Sequence, residues 1–204
     1  AYRIPADFPG ADRIDHGRFG AFVDIQRDQL EAMVFGRCAR EHINRNFLYA
    51  AYDAIAFRDD DGGAHARVVM QGTDTCGRCF FLDTVAPEGV EAVNAQLVPF
   101  GARQVGAVVT SPTFSGQAWL FNTQSWAGDR TAVLEGPGDV VMQQFNTVSG
   151  PIIARAGRSI FENGCFVRSL DTQYDFQGAA HAYGLLALEF ALALAMYAVA
   201  AGRT

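Results

Sequence analysis

The chain has 204 residues, half of them hydrophobic, and a formal net charge of −6. This length favours one domain with a sizeable core, and the acidic balance leaves no broad basic field, so no nucleic-acid partner is expected. All sixteen basic residues are arginines, which excludes Schiff-base chemistry and phosphate binding by a P-loop lysine.

The first regular pattern, in residues 27–43, predicts an amphipathic helix. Its apolar residues lie at helical spacing: Leu30, Met33, Val34, Cys38 and Ile43. We therefore assign residues 1–46 to an N-terminal extension that contains one helix.

Short apolar segments rich in Val and Phe follow, separated by Gly, Pro and Asp. They recur at intervals of about 8–12 residues, which is typical of an antiparallel meander or barrel, and no internal repeat is apparent. Residues 47–177 are therefore predicted to form a β-rich body. The expected fold class is α+β: a predominantly antiparallel sheet or barrel with an N-terminal helix and a long apolar C-terminal helix, all in a single domain.

The last segment, residues 178–202, predicts that C-terminal helix. Between Ala182 and Gly202 it has one charge, Glu189, and no proline. A helix that is apolar nearly all round is surrounded either by protein or by lipid. Each central Leu favours insertion by only about 0.3–0.6 kcal/mol, whereas a central acid costs roughly 2.5–3.5 kcal/mol. A buried core helix is therefore favoured, membrane contact through residues 184–202 stays open, and the expected location is cytoplasmic or membrane-associated.

The element order resembles a known architecture. Many short strands precede "SLDTQYDFQGAAHAYGLLALEFALALAMY", and this arrangement is similar to the tubby-like barrel of phospholipid scramblases and LURP-one-related proteins. The resemblance implies a C-terminal helix that threads a barrel. No family motif residue can be matched, so it implies no function.

Cysteine and histidine supply one candidate site. Cys38 and His42 lie four apart on the predicted first helix, and "TCGRCF" supplies Cys76 and Cys79 on a turn. Three thiolates and one imidazole form a common tetrahedral zinc site. The alternatives are reduced core cysteines, a disulfide between Cys76 and Cys79 or with Cys165, and a redox dithiol.

A second candidate site is aromatic. Trp119, Phe121 and Trp126 lie close together in sequence, and strand alternation places Trp119 and Phe121 on one face. Such a cluster forms either core packing or a wall on which a ligand stacks.

No convergent catalytic set is evident, so the sequence predicts a non-catalytic binding or assembly module whose partner is a protein or a second copy of the chain. Two alternatives stay open. One is a zinc-dependent hydrolase or deaminase, although the deaminase signature would require a shorter spacing than that of Cys38 and Glu41 and a proline in place of Thr75. The other is a carrier of a small hydrophobic ligand or lipid. Zinc is the one cofactor considered.

Overall fold

The computed structural model describes residues 16–100, 104–126, 128–147, 150–166, 174–176, 179–183 and 186–187. Within these residues, a helix, α1 (His16–Gln29), precedes twenty strands. Every pairing between these strands is parallel. The chain therefore winds as a parallel β-solenoid, in which each turn, or rung, contributes strands to three faces.

Each face takes one strand, or part of one, from each rung. Face A contains β1 (Glu31–Phe35), β4 (Asp53–Phe57), the first part of β7 (Arg78–Val93), β9 (Gly106–Ser115), β12 (Ala132–Leu134), β15 (Ile152–Ala154) and β18 (Tyr174–Phe176). Face B contains β2 (Cys38–Asn44), β5 (Ala64–Val69), the second part of β7, β10 (Gln117–Phe121), β13 (Asp139–Gln143), β16 (Arg158–Glu162) and β19 (Ala179–Tyr183). Face C contains β3 (Phe47–Tyr49), β6 (Gly72–Asp74), β8 (Gln96–Leu97), β11 (Gln124–Ser125), β14 (Asn146–Thr147), β17 (Cys165–Phe166) and β20 (Leu186–Ala187). Faces A and B form one continuous sheet because β7 turns the corner between them.

In six rungs of the described part of the chain, the corner between faces B and C is formed by a residue with a left-handed backbone conformation. The six residues are Arg45, Met70, Asn94, Asn122, Gln144 and Asn163. Hydrogen bonds between rungs continue through this corner, as in Asn94 N–H to the Phe121 carbonyl at 3.1 Å and Asn122 N–H to the Gln143 carbonyl at 3.0 Å. Asparagine tolerates this backbone conformation better than most residues. The corner therefore marks a true internal repeat, of 19 to 28 residues on face B.

The core lies inside the solenoid and runs along its axis. The phenyl rings of Phe57, Phe114, Phe145 and Phe161 are fully buried in it, with Ile55, Leu97 and Met142. Apolar side chains on the inward face of each rung stack on those of the next because parallel strands lie about 4.8 Å apart. The interior is thus filled by side chains, and chemistry with a ligand is confined to the outside of the faces and to the corners.

The predicted antiparallel sheet or barrel is wrong. Sequence spacing indicated short strands separated by turns in the body of the chain, but the partner of each strand is the equivalent strand one rung away. The tubby-like arrangement is wrong for the same reason, since it requires a closed barrel around a helix. The missed repeat explains both errors, because rung lengths vary and few side chains recur identically.

The two predicted helices are also wrong. Residues 31–35 and 38–44 form β1 and β2, which pair with β4 and β5, and the observed helix ends at Gln29. In the C-terminal segment, residues 179–183 and 186–187 are strands β19 and β20, while residues 188–204 lie outside the described residues. Among the described residues no helix is both long enough and apolar enough to span a membrane. The membrane contact predicted through residues 184–202 stays a prediction.

Candidate ligand-binding groove

A shallow, open groove of ≈ 470 Å³ lies on the outside of face B. It crosses four successive strands: β5, β7, β10 and β13. Its outward-facing residues are Arg67, Glu91, Val93, Trp119, Phe121 and Gln143. Four parallel strands span about 14 Å across the rungs, which sets the width of the groove perpendicular to the strands.

Two aromatic side chains form the middle of the groove. Trp119 and Phe121 both belong to β10, and the outward side of a strand carries every second residue. Trp119 lies in register with Glu91 on one side and Val141 on the other. Phe121 is 43% exposed, a high value for a phenylalanine held in the middle of a sheet. Its exposed ring is available for contact with another molecule.

Gly89 determines how the indole of Trp119 is seated. A Cβ at Gly89 would lie 2.8 Å from Cζ3 of Trp119 and 2.5 Å from the carbonyl oxygen of Gln117. The φ angle of Gly89 is 82°, in the left-handed region that favours glycine. The absence of a side chain therefore lets the indole pack closely onto the neighbouring rung, which fixes its orientation.

Two polar pairs flank the aromatic rings. On one side, Arg67 and Glu91 form an ion pair with 3.3 Å between Nε and Oε2, and both side chains are about half exposed. On the other side, Gln143 donates a hydrogen bond from Nε2 to Oε2 of Glu162 at 2.5 Å. Each pair joins two adjacent rungs. The groove thus has an apolar centre between two borders that contain both donors and acceptors.

Trp126 does not lie in this groove. It follows β11 on face C, where its backbone N–H donates to the Leu97 carbonyl at 3.2 Å, and its side chain is 42% exposed. The structure thus brings together two of the three aromatic residues predicted to bind a ligand. It adds four residues that sequence reasoning missed: Arg67, Glu91, Val93 and Gln143. These residues occupy equivalent positions in neighbouring rungs. That equivalence can be read from the sequence only once the internal repeat is recognised.

The predicted zinc ligands lie in two different environments. Cys38 and His42 are on β2, where His42 is exposed and Cys38 is partly buried, with its thiol 3.9 Å from the His65 carbonyl. Cys76 and Cys79 are fully buried in the core. Among the residues that the structure describes, no three His, Cys, Asp or Glu side chains form a group suited to a metal ion. Zinc binding stays a prediction, to be checked by metal analysis of protein purified without chelator.

The buried thiols are held in the protonated form. Burial raises the pKa of Cys76 to about 11 from its usual 9.0. Burial, and then the nearby Cys76, raises the pKa of Cys79 well above 9.0. Burial, and then the charge of Glu41, also raises the pKa of Cys38. Because the thiolate is the reactive and metal-binding form of cysteine, these three residues are poorly activated near neutral pH.

A second open depression, of ≈ 720 Å³, lies at the corner between faces A and B in the first rungs. It includes Cys38 and His65, and its border contains Arg40 and an ion pair between Arg37 and Asp61. Glu88 adds a further carboxylate to its lining, which also includes alanine, glycine and proline residues. No Trp, Tyr or Phe lines it, so it lacks the apolar platform that distinguishes the groove on face B.

Face A contains a network of ion pairs that the sequence did not indicate. Arg58 contacts both Glu31 and the fully buried Asp53. Partial burial, and then the neighbouring charge of Arg78, lowers the pKa of the Arg58 guanidinium. Both guanidinium groups stack on the ring of Phe81, at 4.5 Å for Arg58 and 3.6 Å for Arg78. Because Asp53 has no exposed surface, this network stabilises the fold and offers no carboxylate to a substrate.

Comparisons with protein-family models, with curated proteins and with solved structures each found no match. The architecture and the groove therefore define the class to which the chain is assigned, a parallel β-solenoid with an aromatic groove on one outer face.

Proposed function

We propose that this chain is a non-catalytic binding module, in which the β-solenoid presents the groove on face B to an extended ligand. The observation that carries the proposal is the pair of aromatic rings on the outer side of β10: Trp119, which is partly buried, and Phe121, which is exposed. Exposed aromatic residues supply large contact areas and rank among the strongest contributors to binding.

The groove is built on strands and not on loops. Its strands are hydrogen-bonded on both sides to neighbouring rungs, in a continuous register that runs from Arg67 through Glu91 and Trp119 to Val141. Sites on regular elements hold their side chains more accurately than sites on loops. A ligand therefore meets a surface that is already in its binding geometry, which lowers the entropic cost of association.

The carrier hypothesis receives less support from the interior of the solenoid. A void among the core side chains, lined by Phe80, Leu82 and Val108, measures only ≈ 10 Å³. That volume suits at most one water molecule, whereas pockets for small ligands are usually about 300–1,000 Å³. The groove on the outer surface has a volume in that range, and it is open along its length.

The proposal can be tested by fluorescence because the chain has only two tryptophans. In a Trp126→Phe variant, Trp119 is the sole reporter, and we expect its emission to change when a ligand occupies the groove. The matched control is Trp119→Phe, which retains only Trp126 on another part of the surface and should show no change. If neither a broad panel of oligosaccharides nor one of peptides changes the emission of Trp119, the proposed function is wrong.

A further inference from the structure

The groove on face B combines features that select one class of ligand. They are the spacing of the two aromatic rings, the unused hydrogen-bonding atoms of the flanking pairs, and the balance of charge. The inference drawn from them rests on the proposed function and names the chemistry of its ligand.

The two rings form a platform along one strand. Residues two apart on a strand are separated by about 7 Å, so Trp119 and Phe121 present two neighbouring apolar surfaces. A pyranose ring has a comparable apolar surface, formed by its axial C–H bonds, while its hydroxyl groups project from its edge. Two consecutive sugar rings can therefore contact the two aromatic rings while their hydroxyls point towards the borders of the groove.

The borders carry the groups that hydroxyls require. Arg67 directs Nε at Glu91 in their ion pair, so its Nη groups remain available as donors. Glu91 retains its second carboxylate oxygen as an acceptor. Gln143 uses Nε2 for its bond to Glu162, which leaves its carbonyl oxygen as an acceptor. A hydroxyl both donates and accepts hydrogen bonds, so sugar hydroxyls can pair with both the donors and the acceptors at these borders.

The charge balance argues against an anionic ligand. Arg67 and Glu91 neutralise each other, Gln143 is uncharged, and Glu162 adds one negative charge beside the groove. A polyanion such as a nucleic acid or an acidic polysaccharide requires a surplus of Arg or Lys. This surface has none, and the whole chain carries −6.

A peptide strand has no place to pair here. Peptides that bind by strand addition require an unpaired sheet edge, but β10 is paired on one side with β7 and on the other with β13. A proline-rich peptide could contact the aromatic rings without such pairing, and we include it in the experiment for that reason.

From these observations, we infer that the groove on face B binds a neutral glycan, with consecutive sugar rings on Trp119 and Phe121 and their hydroxyls bonded to Arg67, Glu91 and Gln143. The full chain bearing Trp126→Phe is titrated with neutral oligosaccharides of several linkages, with acidic oligosaccharides, and with a proline-rich peptide. Fluorescence of Trp119 and calorimetry are the readouts. We expect saturable binding of a neutral oligosaccharide that persists at high salt.

The variants separate the groove from the rest of the surface. Phe121→Ala and Trp119→Ala should weaken binding by about tenfold or more, and Arg67→Met should also weaken it. Arg40→Met, in the charged depression at the corner between faces A and B, is the matched control and should bind normally. Phe121 is exposed, so its variant remains informative even if Trp119→Ala does not fold.

The possible outcomes separate the proposal that the groove binds a ligand from the inference that this ligand is a neutral glycan. Salt-sensitive binding of acidic oligosaccharides alone, or binding of the proline-rich peptide alone, would overturn the neutral glycan while leaving the groove as a binding site. Glycan binding that survives Phe121→Ala and Arg67→Met would overturn the assignment of the ligand to this groove. A complete lack of response from Trp119 would overturn both proposals.

Discussion

Arg78 holds the carboxylate of Asp53 with two hydrogen bonds, from Nε to Oδ1 at 2.5 Å and from Nη2 to Oδ2 at 2.7 Å. Arg58 donates a third from Nη2 to Oδ2 at 3.1 Å. Asp53 is in register with Arg78 on the next strand of face A. Because the carboxylate is fully buried, the free energy of unfolding depends on keeping all of its partners.

Replacing Asp53 with Ala should destabilise the protein strongly. The change leaves two partly buried guanidinium groups without their shared carboxylate, and breaking a buried pair costs about 3–5 kcal/mol. Urea denaturation followed by circular dichroism measures the loss. The control is Arg155→Met, which removes a more exposed pair with Glu135 and should cost no more than about 1 kcal/mol. Equal effects from the two changes would show that Asp53 is not held as described.

Replacing Gly89 with Ala should both destabilise the solenoid and move Trp119. Gly62 provides a matched control, because its φ is also positive, at 99°, but a Cβ there meets nothing within 4 Å. Gly62→Ala should cost about 1–3 kcal/mol from backbone strain alone. Gly89→Ala should cost more, since the new methyl group overlaps a carbonyl and the indole. In the Trp126→Phe background, only Gly89→Ala should change the emission of Trp119; a similar change from Gly62→Ala would contradict the close packing.

Replacing Gln144 with Asn should stabilise the corner between faces B and C. Gln144 has a φ of 52°, and its side chain is exposed. Asn occupies this conformation more readily than Gln, and in two earlier rungs the equivalent residues, Asn94 and Asn122, are joined by a side-chain hydrogen bond of 2.7 Å. We expect a gain of about 0.5 kcal/mol, seen as a higher urea midpoint with an unchanged slope. The reverse change, Asn122→Gln, should lower that midpoint, and a rise would contradict the argument.

The protein should lose stability at alkaline pH because of its buried thiols. A thiol whose pKa is raised by folding contributes full stability below its unfolded value of 9.0, and that contribution falls as pH rises towards the folded value, about 11 for Cys76. The slope over this range is about 1.4 kcal/mol per pH unit for each such thiol. Urea denaturation between pH 8 and pH 11 measures it. Cys76→Ala should reduce the pH dependence of the free energy of unfolding by roughly the contribution of one thiol. An unchanged slope would show that Cys76 does not contribute.

Several features of the groove follow from short-range sequence signals. The alternation of "QAWLF" puts Trp119 and Phe121 on the same side of a strand whatever that strand pairs with, because side chains alternate along any extended chain. Glycine, proline and aspartate residues likewise indicated turns between short apolar segments. These features are local, and so the sequence was sufficient for them.

The helix predicted over residues 27–43 shows where local patterns fail. Its apolar residues fit a helical period, but β1 and β2 gain hydrogen bonds and burial by pairing with β4 and β5, and such tertiary contacts outweigh a weak propensity. The apolar segment that includes β19 and β20 is a similar case, because a short apolar run suits a buried strand as well as a helix.

By itself, the sequence determined that short apolar segments and turns alternate in the body of the chain and that the two aromatic rings share a face. Only the tertiary structure decided that the strands pair in parallel, one rung with the next, and so brought Arg67, Glu91 and Gln143 beside Trp119. Pairing direction and register depend on backbone contacts between segments 19 to 28 residues apart on face B. The residues of a single segment do not specify which other segment it pairs with, or in which direction.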